Sequence, residues 1–153
     1  MKKLFFLLIG IIPFLSITQD YETPQQVEEA FNKMFSNAED ILWTQLDDDF
    51  EASFYIDEEY KLALFAKNGK WIETATSINV EIASDRITTP IYDKYNGSLI
   101  DNIFMVETPE NILFYRVQVD DGESVFIVKL SDKYEILESK KLSFDSTYDE
   151  EME

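Results

Sequence analysis

Twice along the chain, an amphipathic helical pattern is followed by four strand-like runs, and the joints are short, in the first half no longer than a tight turn. Joints that short connect antiparallel neighbours, so each half must fold as a helix followed by a meander. The first helical pattern opens at Thr23-Pro24. Thr23 is suited to cap, Pro24 to the first helical position, and Glu28 and Glu29 to an early turn. Val27, Ala30, Phe31, Met34 and Phe35 keep the spacing of one buried stripe, and Ser36-Asn37 ends it. Strands are expected at 41–46, 50–57, 61–67 and 71–78. Their joints are Asp47-Asp48-Asp49, Asp57-Glu58-Glu59 and Asn68-Gly69. The last is the strongest hairpin signal in the chain, and it predicts a type I′ turn with a positive φ at Gly69.

The second half begins with a helix expected over 83–95, its row being Ile87, Ile91 and Tyr95. Pro90 should shorten or kink it. Strands follow at 100–107, 113–120, 124–130 and 135–142, with Asp120-Asp121-Gly122-Glu123 as another tight turn. The halves echo each other at an offset of about 60 residues. Ala30-Phe31-Asn32-Lys33 matches Pro90-Ile91-Tyr92-Asp93-Lys94. The run from Phe65 to Trp71 matches the run from Val128 to Tyr134. The expected fold is α+β: two tandem helix-plus-four-strand antiparallel meander repeats, with the helices on one face of the sheet. The domain should occupy 19–144, with repeats at about 23–80 and 81–144.

The ends read differently. Met1-Lys2-Lys3 is a basic start, 4–15 is an apolar run broken by Gly10 and Pro13, and Ser16 and Thr18 stand two apart before polar residues begin at Gln19. That order is a secretory signal peptide over 1–18, too short for a membrane-spanning helix. The expected location is periplasmic or secreted, with no membrane attachment after cleavage. The segment 145–153 is acidic with few apolar groups, and reads as a disordered tail.

Composition narrows the chemistry. There are 13 basic and 31 acidic residues, a net charge of -18, and neither cysteine nor histidine. Thiol nucleophiles, disulfides, Cys- or His-based metal sites and every His-based triad are therefore excluded. No basic patch offsets the acidity, so nucleic acid is not an expected partner. Neither is any cofactor or metal expected. Asp47-Asp48-Asp49 with Glu51 suggests a calcium loop, but its sixth position is Ala52 where glycine is needed. With no Ser-x-x-Lys after the leader and few glycines, Ser–Lys dyads and phosphate loops are also out. A carboxylate pair of the glycosidase kind is the one catalytic option left, and it needs a cleft that a small meander seldom offers.

One stretch resembles a known family. Ala30-Phe31, Phe35 and Ala38, then Ile41 and Trp43, then Phe50-Glu51-Ala52 and Phe54, then Ala63, Phe65 and Asn68-Gly69-Lys70-Trp71 are similar to the PepSY-like, beta-lactamase-inhibitor-like family of exported bacterial proteins. That pattern is a helix ending in Phe-Pro-x-Ala, a Val-x-Trp strand, an aromatic-x-Ala-x-Phe strand and a Phe-x-x-x-Gly-Lys-Trp hairpin. The proline is missing here, and Asp132-Lys133-Tyr134 stands where the second half should repeat Gly-Lys-Trp. The resemblance implies two helix-plus-four-strand units with joined or adjacent sheets, and a binding or inhibitory role outside the cytoplasm.

Strand alternation then proposes a site. Ala52, Phe54, Ile56, Ala63 and Phe65 belong under the helix, with Tyr115, Val117 and Val119 as the matching set on the sixth strand. The opposite, open face receives Tyr55, Leu62, Leu64, Phe114 and Arg116, with Trp71 beside them. Tyrosine, tryptophan and arginine are enriched at binding hot spots. The expectation is an exposed apolar patch with Arg116 reaching for a carboxylate of the partner. The function expected is a non-catalytic binding module for a protein or peptide, monomeric until bound. The alternative is an inhibitor of an extracellular or periplasmic hydrolase, and a carboxylate-based hydrolase comes third.

Overall fold

A computed structural model describes residues 22–142. The expected leader (1–18) and the acidic tail (145–153) lie outside the described residues. The first helix, α1 (Gln25–Met34), is capped at Pro24 with no side-chain hydrogen bond, so Thr23 does not cap it. Val27 and Phe31 are buried, and Ala30 and Phe35 pack beside them. Met34, expected in the same stripe, is exposed at the last turn.

Four strands follow: β1 (Glu39–Leu46), β2 (Asp49–Ile56), β3 (Glu59–Ala66) and β4 (Trp71–Ile78). The strands of the first two hairpins reach further into the acidic joints than expected. Asp49 pairs with both Leu46 and Ala66, and Glu59 pairs with Ile56. The loops shrink to Asp47-Asp48 and Asp57-Glu58. Asp57 and Glu58 both take positive φ, 50° and 68°. The type I′ pattern therefore belongs to this acidic turn. The expected Asn68-Gly69 turn is a three-residue loop instead, Lys67-Asn68-Gly69, with Gly69 at φ +81°. Ala66 N–H donates to the Lys70 carbonyl, and Gly69 N–H donates to that of Ala66. A loop of this length needs one residue in the left-handed region, and Gly69 supplies it.

After β4 an unanticipated 3₁₀ turn (Val80–Ile82) leads to α2 (Asp85–Lys94), capped by the Ser84 hydroxyl accepting from the Arg86 N–H. Helix α2 is shorter than 83–95 yet runs through Pro90. Ile87 and Ile91 are buried, and that burial offsets the hydrogen bond the proline omits. Then come β5 (Leu99–Glu107), β6 (Leu113–Asp120), β7 (Val125–Ser131) and β8 (Ile136–Lys141). All eight strands form one antiparallel sheet in chain order, and the β4–β5 pairing joins the two halves.

Each helix gathers its own core. Val27 and Phe31 pack on Phe50, Ala52, Phe54, Ala63 and Phe65. The Phe31 ring meets that of Phe54 edge-on at 5.0 Å and that of Trp43 at 5.3 Å, geometries that aromatic pairs prefer. Ile87 and Ile91 pack on Ile100, Ile103, Val117, Val119, Val128 and Leu130. The expected inward sets of β2, β3 and β6 are therefore the observed ones.

The match between the halves needs a shift at the hairpins. Ser131 N–H donates to the Glu135 carbonyl and Tyr134 N–H to that of Ser131, as Ala66 and Gly69 do in the first half. Tyr134, at φ +67°, thus stands where Gly69 stands, and not opposite Trp71. The residue matching Trp71 is Ile136, since Leu130 pairs with Ile136 just after a register shift, as Phe65 pairs with Trp71.

Candidate functional site: the sheet face of Glu51, Leu62 and Arg116

On β2, Glu51, Ser53 and Tyr55 alternate with the core residues Phe50, Ala52 and Phe54, so they point away from α1. On β6, Phe114, Arg116 and Gln118 likewise point away from the α2 core. Cross-strand partners share a face. Leu62, Ala75, Val106 and Phe114 are successive partners across β3, β4, β5 and β6. These four form a third apolar cluster, with Tyr60 and Phe104 packed against it.

This cluster is not the exposed patch the alternation led us to expect. Leu62 is 5%, Leu64 4%, Phe114 7% and Arg116 9% exposed, whereas Tyr55 is 42% exposed. The cover is made of long side chains from neighbouring strands. Arg116 on β6 crosses β5 to bond Glu73 on β4, Nη2 to Oε1 at 2.7 Å. Adjacent strands are about 4.8 Å apart, so β4 and β6 lie about 10 Å apart across β5, and the bond also runs along the sheet, because the residue level with Arg116 on β4 is Ser77. On the way the guanidinium passes over the Phe114 ring at 5.7 Å, and Lys129 from β7 places its Nζ 3.9 Å from the same ring. Their aliphatic stems and charges close over the phenyl ring. In the free chain Arg116 is therefore paired with Glu73 through Nη2.

Trp71 is also corrected. Its ring packs with the α1 core and its Nε1–H donates to Thr74 Oγ1 at 3.0 Å. The cause is the bulge in the β3–β4 ladder: Leu64 pairs with Glu73, but Phe65 pairs with Trp71. One extra residue moves Trp71 to the Phe65 side.

Large apolar side chains open on this face stand at both ends of it: Leu99, paired with Asp120, on β5, and two more towards β1. Leu42 pairs with Ser53 and is 69% exposed, and the Tyr55 ring lies 5.4 Å from that of Tyr60. Between this apolar edge and the Arg116–Glu73 pair sits Glu51. Burial first of all lifts its carboxyl pKa to about 7, with Arg116 opposing and Glu73 reinforcing the rise. Burial also raises the Tyr60 phenol, and burial with neighbouring Asp48 and Asp47 raises Asp49. Glu51 and Glu73 were left out of the site read from the sequence. For Glu51 a signal was available, since it alternates with Phe50 and Ala52 and so falls on the face of Tyr55; for Glu73 the placement comes from its pairing with Leu64.

The acidic turns act structurally. Asp121 Oδ1 accepts from Glu123 and Ser124 N–H, and Asp120 Oδ1 from Gly122 N–H. Among the described residues no group of three or more Asp or Glu is arranged to hold a metal ion. On the helix side, Asp85, Arg86, Thr89, Pro90, Lys133 and Tyr134 line a shallow depression.

No protein-family profile matches the chain, and no curated protein does. Solved structures do. A BLIP-like protein from Bacteroides fragilis NCTC 9343 superposes with a TM-score of 0.69 at 25% identity, over 84% of this chain and 94% of its own. The fold is BLIP-like. A DUF2874 family protein from Bacteroides ovatus ATCC 8483 also has a TM-score of 0.69, at 21% identity over 79% and 89% of the two chains. A protein described as a candidate periplasmic protein, from Bacteroides eggerthii DSM 20697, gives 0.69 at 18% identity over 79% and 90%. The beta-lactamase-inhibitor-like part of the sequence resemblance thus has a structural counterpart in the BLIP-like sheet. Among the described residues no helix of this BLIP-like chain is long and apolar enough to cross a membrane.

Proposed function

We propose that this chain is an exported, non-catalytic binding module, built as two helix-plus-four-strand repeats with both helices on one face. It recognises a protein or peptide partner through the opposite face of the sheet. The observation that carries the reading is the organisation of that face. Its floor of Leu62, Leu64 and Phe114 is buried, with Arg116 and Lys129 closing over the Phe114 ring, so it is already packed before any partner arrives. Pre-ordered side chains lose little entropy on binding. Leu42 and Tyr55 stand out beside this floor as apolar anchors. Leu62, Leu64, Phe114 and Arg116 then shape the surface, while Trp71 belongs to the helix side. The BLIP-like neighbour and the absence of His and Cys support a protein-binding rather than a catalytic role. Export rests on the leader-like start of the sequence and accords with the neighbour described as a candidate periplasmic protein.

The same face suits the second reading, inhibition of an extracellular or periplasmic hydrolase, which the BLIP-like neighbour specifically favours. Affinity chromatography of envelope extract tests both. Immobilised wild type should retain a protein that Leu42→Asp and Tyr55→Ala release, while Tyr92→Ala, exposed on α2, keeps it. Retention that ignores the sheet-face variants contradicts the proposal. Inhibition of a retained hydrolase selects the second reading.

A further inference from the structure

The floor of the sheet face holds two carboxylates and one guanidinium, and the guanidinium is only half used. Arg116 gives Nη2 to Glu73, while its Nη1 is buried without a partner. Among the described residues Glu73 is the one carboxylate within 4.0 Å of it. Glu51 stands on the same face, on the other side of Leu64 from Glu73, since Leu64 pairs with both, and Arg116 favours its ionised form. Leu64 is the cross-strand partner of both carboxylates, and the guanidinium lies over the Phe114 ring, so the group is set against buried apolar side chains.

We propose that Glu51, Glu73 and Arg116 form a proton-operated latch, in which Arg116 holds Glu73 alone while Glu51 is neutral and bridges both carboxylates once Glu51 is ionised. A neutral carboxyl offers no charge to draw the free Nη1, and an ionised one does, so the guanidinium swings towards it. The other elements around Glu51 leave this exchange to the three groups. From β1 it faces Thr44, which is uncharged, and from β3 it faces Leu64 and the weakly acidic Tyr60 phenol. Asp49, two residues along β2, has its own carboxyl pKa raised by burial and by the repulsion of Asp48 and Asp47 at the turn. Lys129 on β7 is engaged over Phe114. Ionisation adds one negative charge to the centre of the face and shifts the side chain that covers Phe114. The shape and the charge of the surface therefore change together. Because burial places Glu51 near pH 7, the change falls within the range an exported protein meets.

The latch does not depend on any partner, so its test is separable from that of the binding proposal. In the full folded chain, NMR would follow the Glu51 carboxyl carbon and the Arg116 guanidinium nitrogens from pH 5 to pH 8.5. The expected result is a shared transition with one midpoint near 7, and its loss from the Arg116 signals in Glu51→Gln. Arg116 signals that stay flat while Glu51 titrates would overturn the latch. So would a Glu51 carboxyl already ionised at pH 5, or an Arg116 transition that survives in Glu51→Gln. The wild-type co-titration decides the matter even if the variant folds poorly.

Discussion

Several single residues sit in conformations or environments that few side chains tolerate, and each gives a measurable consequence. Gly69 is at φ +81°, and a Cβ there would lie 2.5 Å from the backbone oxygen of Gln26 on α1. A main-chain oxygen in a helix cannot step aside cheaply. Gly69→Ala should therefore lower stability by about 2 kcal/mol or more, read by urea unfolding. Gly122→Ala, at φ +87° with open space around it, should lose only about 1 kcal/mol. Equal losses would mean that the contact with α1 is absent. Glu58 is the reverse case, a side chain at φ +68° in a two-residue turn that favours glycine. Glu58→Gly should gain on the order of 0.5–1 kcal/mol, and a loss would contradict the turn geometry. At Glu51 the folded carboxyl titrates near 7, above its ordinary 4.5. The folded state then keeps a proton that the unfolded chain releases. The stability this provides is complete below the unfolded value and is lost as pH rises to 7. Glu51→Gln should match wild type near pH 4.5 and exceed it on the order of 2 kcal/mol at pH 8. An unchanged difference between those two pH values would place Glu51 in water.

At the scale of strands and helices, local pattern carried far, and it failed where distant strands intervene. The inward sets of β2, β3 and β6 were legible because Phe50, Ala52 and Phe54, or Val117 and Val119, recur at the two-residue period of a buried face. The acidic joints marked the hairpins, although counting them as whole loops hid the pairing of Asp49 and Glu59. Trp71 was misplaced because a bulge is a property of two strands together, and nothing in β4 alone announces it. The echo between the halves slipped by two residues at the second hairpin, since residue matching aligned Tyr134 with Trp71, whereas hydrogen bonding aligns it with Gly69. Phe114 was assigned to the correct side, but its cover by Arg116 and Lys129 comes from two side chains reaching along and across the sheet. Its substitution now has a definite sign. Phe114→Ala should lose about 3 kcal/mol in urea unfolding, while Tyr55→Ala should lose less than about 0.5 kcal/mol. Similar small losses for both would return Phe114 to the surface.

For the whole molecule, the order helix, four strands, helix, four strands was readable from the sequence, and the sheet runs through all eight strands in that order. What the sequence did not carry was how the two meanders share one surface. Successive pairing of Leu62, Ala75, Val106 and Phe114 merges the halves into a single face. That face, rather than either half, is where recognition is proposed. Its most direct test is site-specific photocrosslinking in living cells that export the protein. A photoreactive phenylalanine analogue is placed either at Tyr55 on the sheet face or at Tyr92 on α2, both of them exposed in the free chain. The account predicts a discrete covalent adduct with one other protein from position 55 and none from position 92. An adduct from position 92 alone, or the same adduct from both positions, would contradict it.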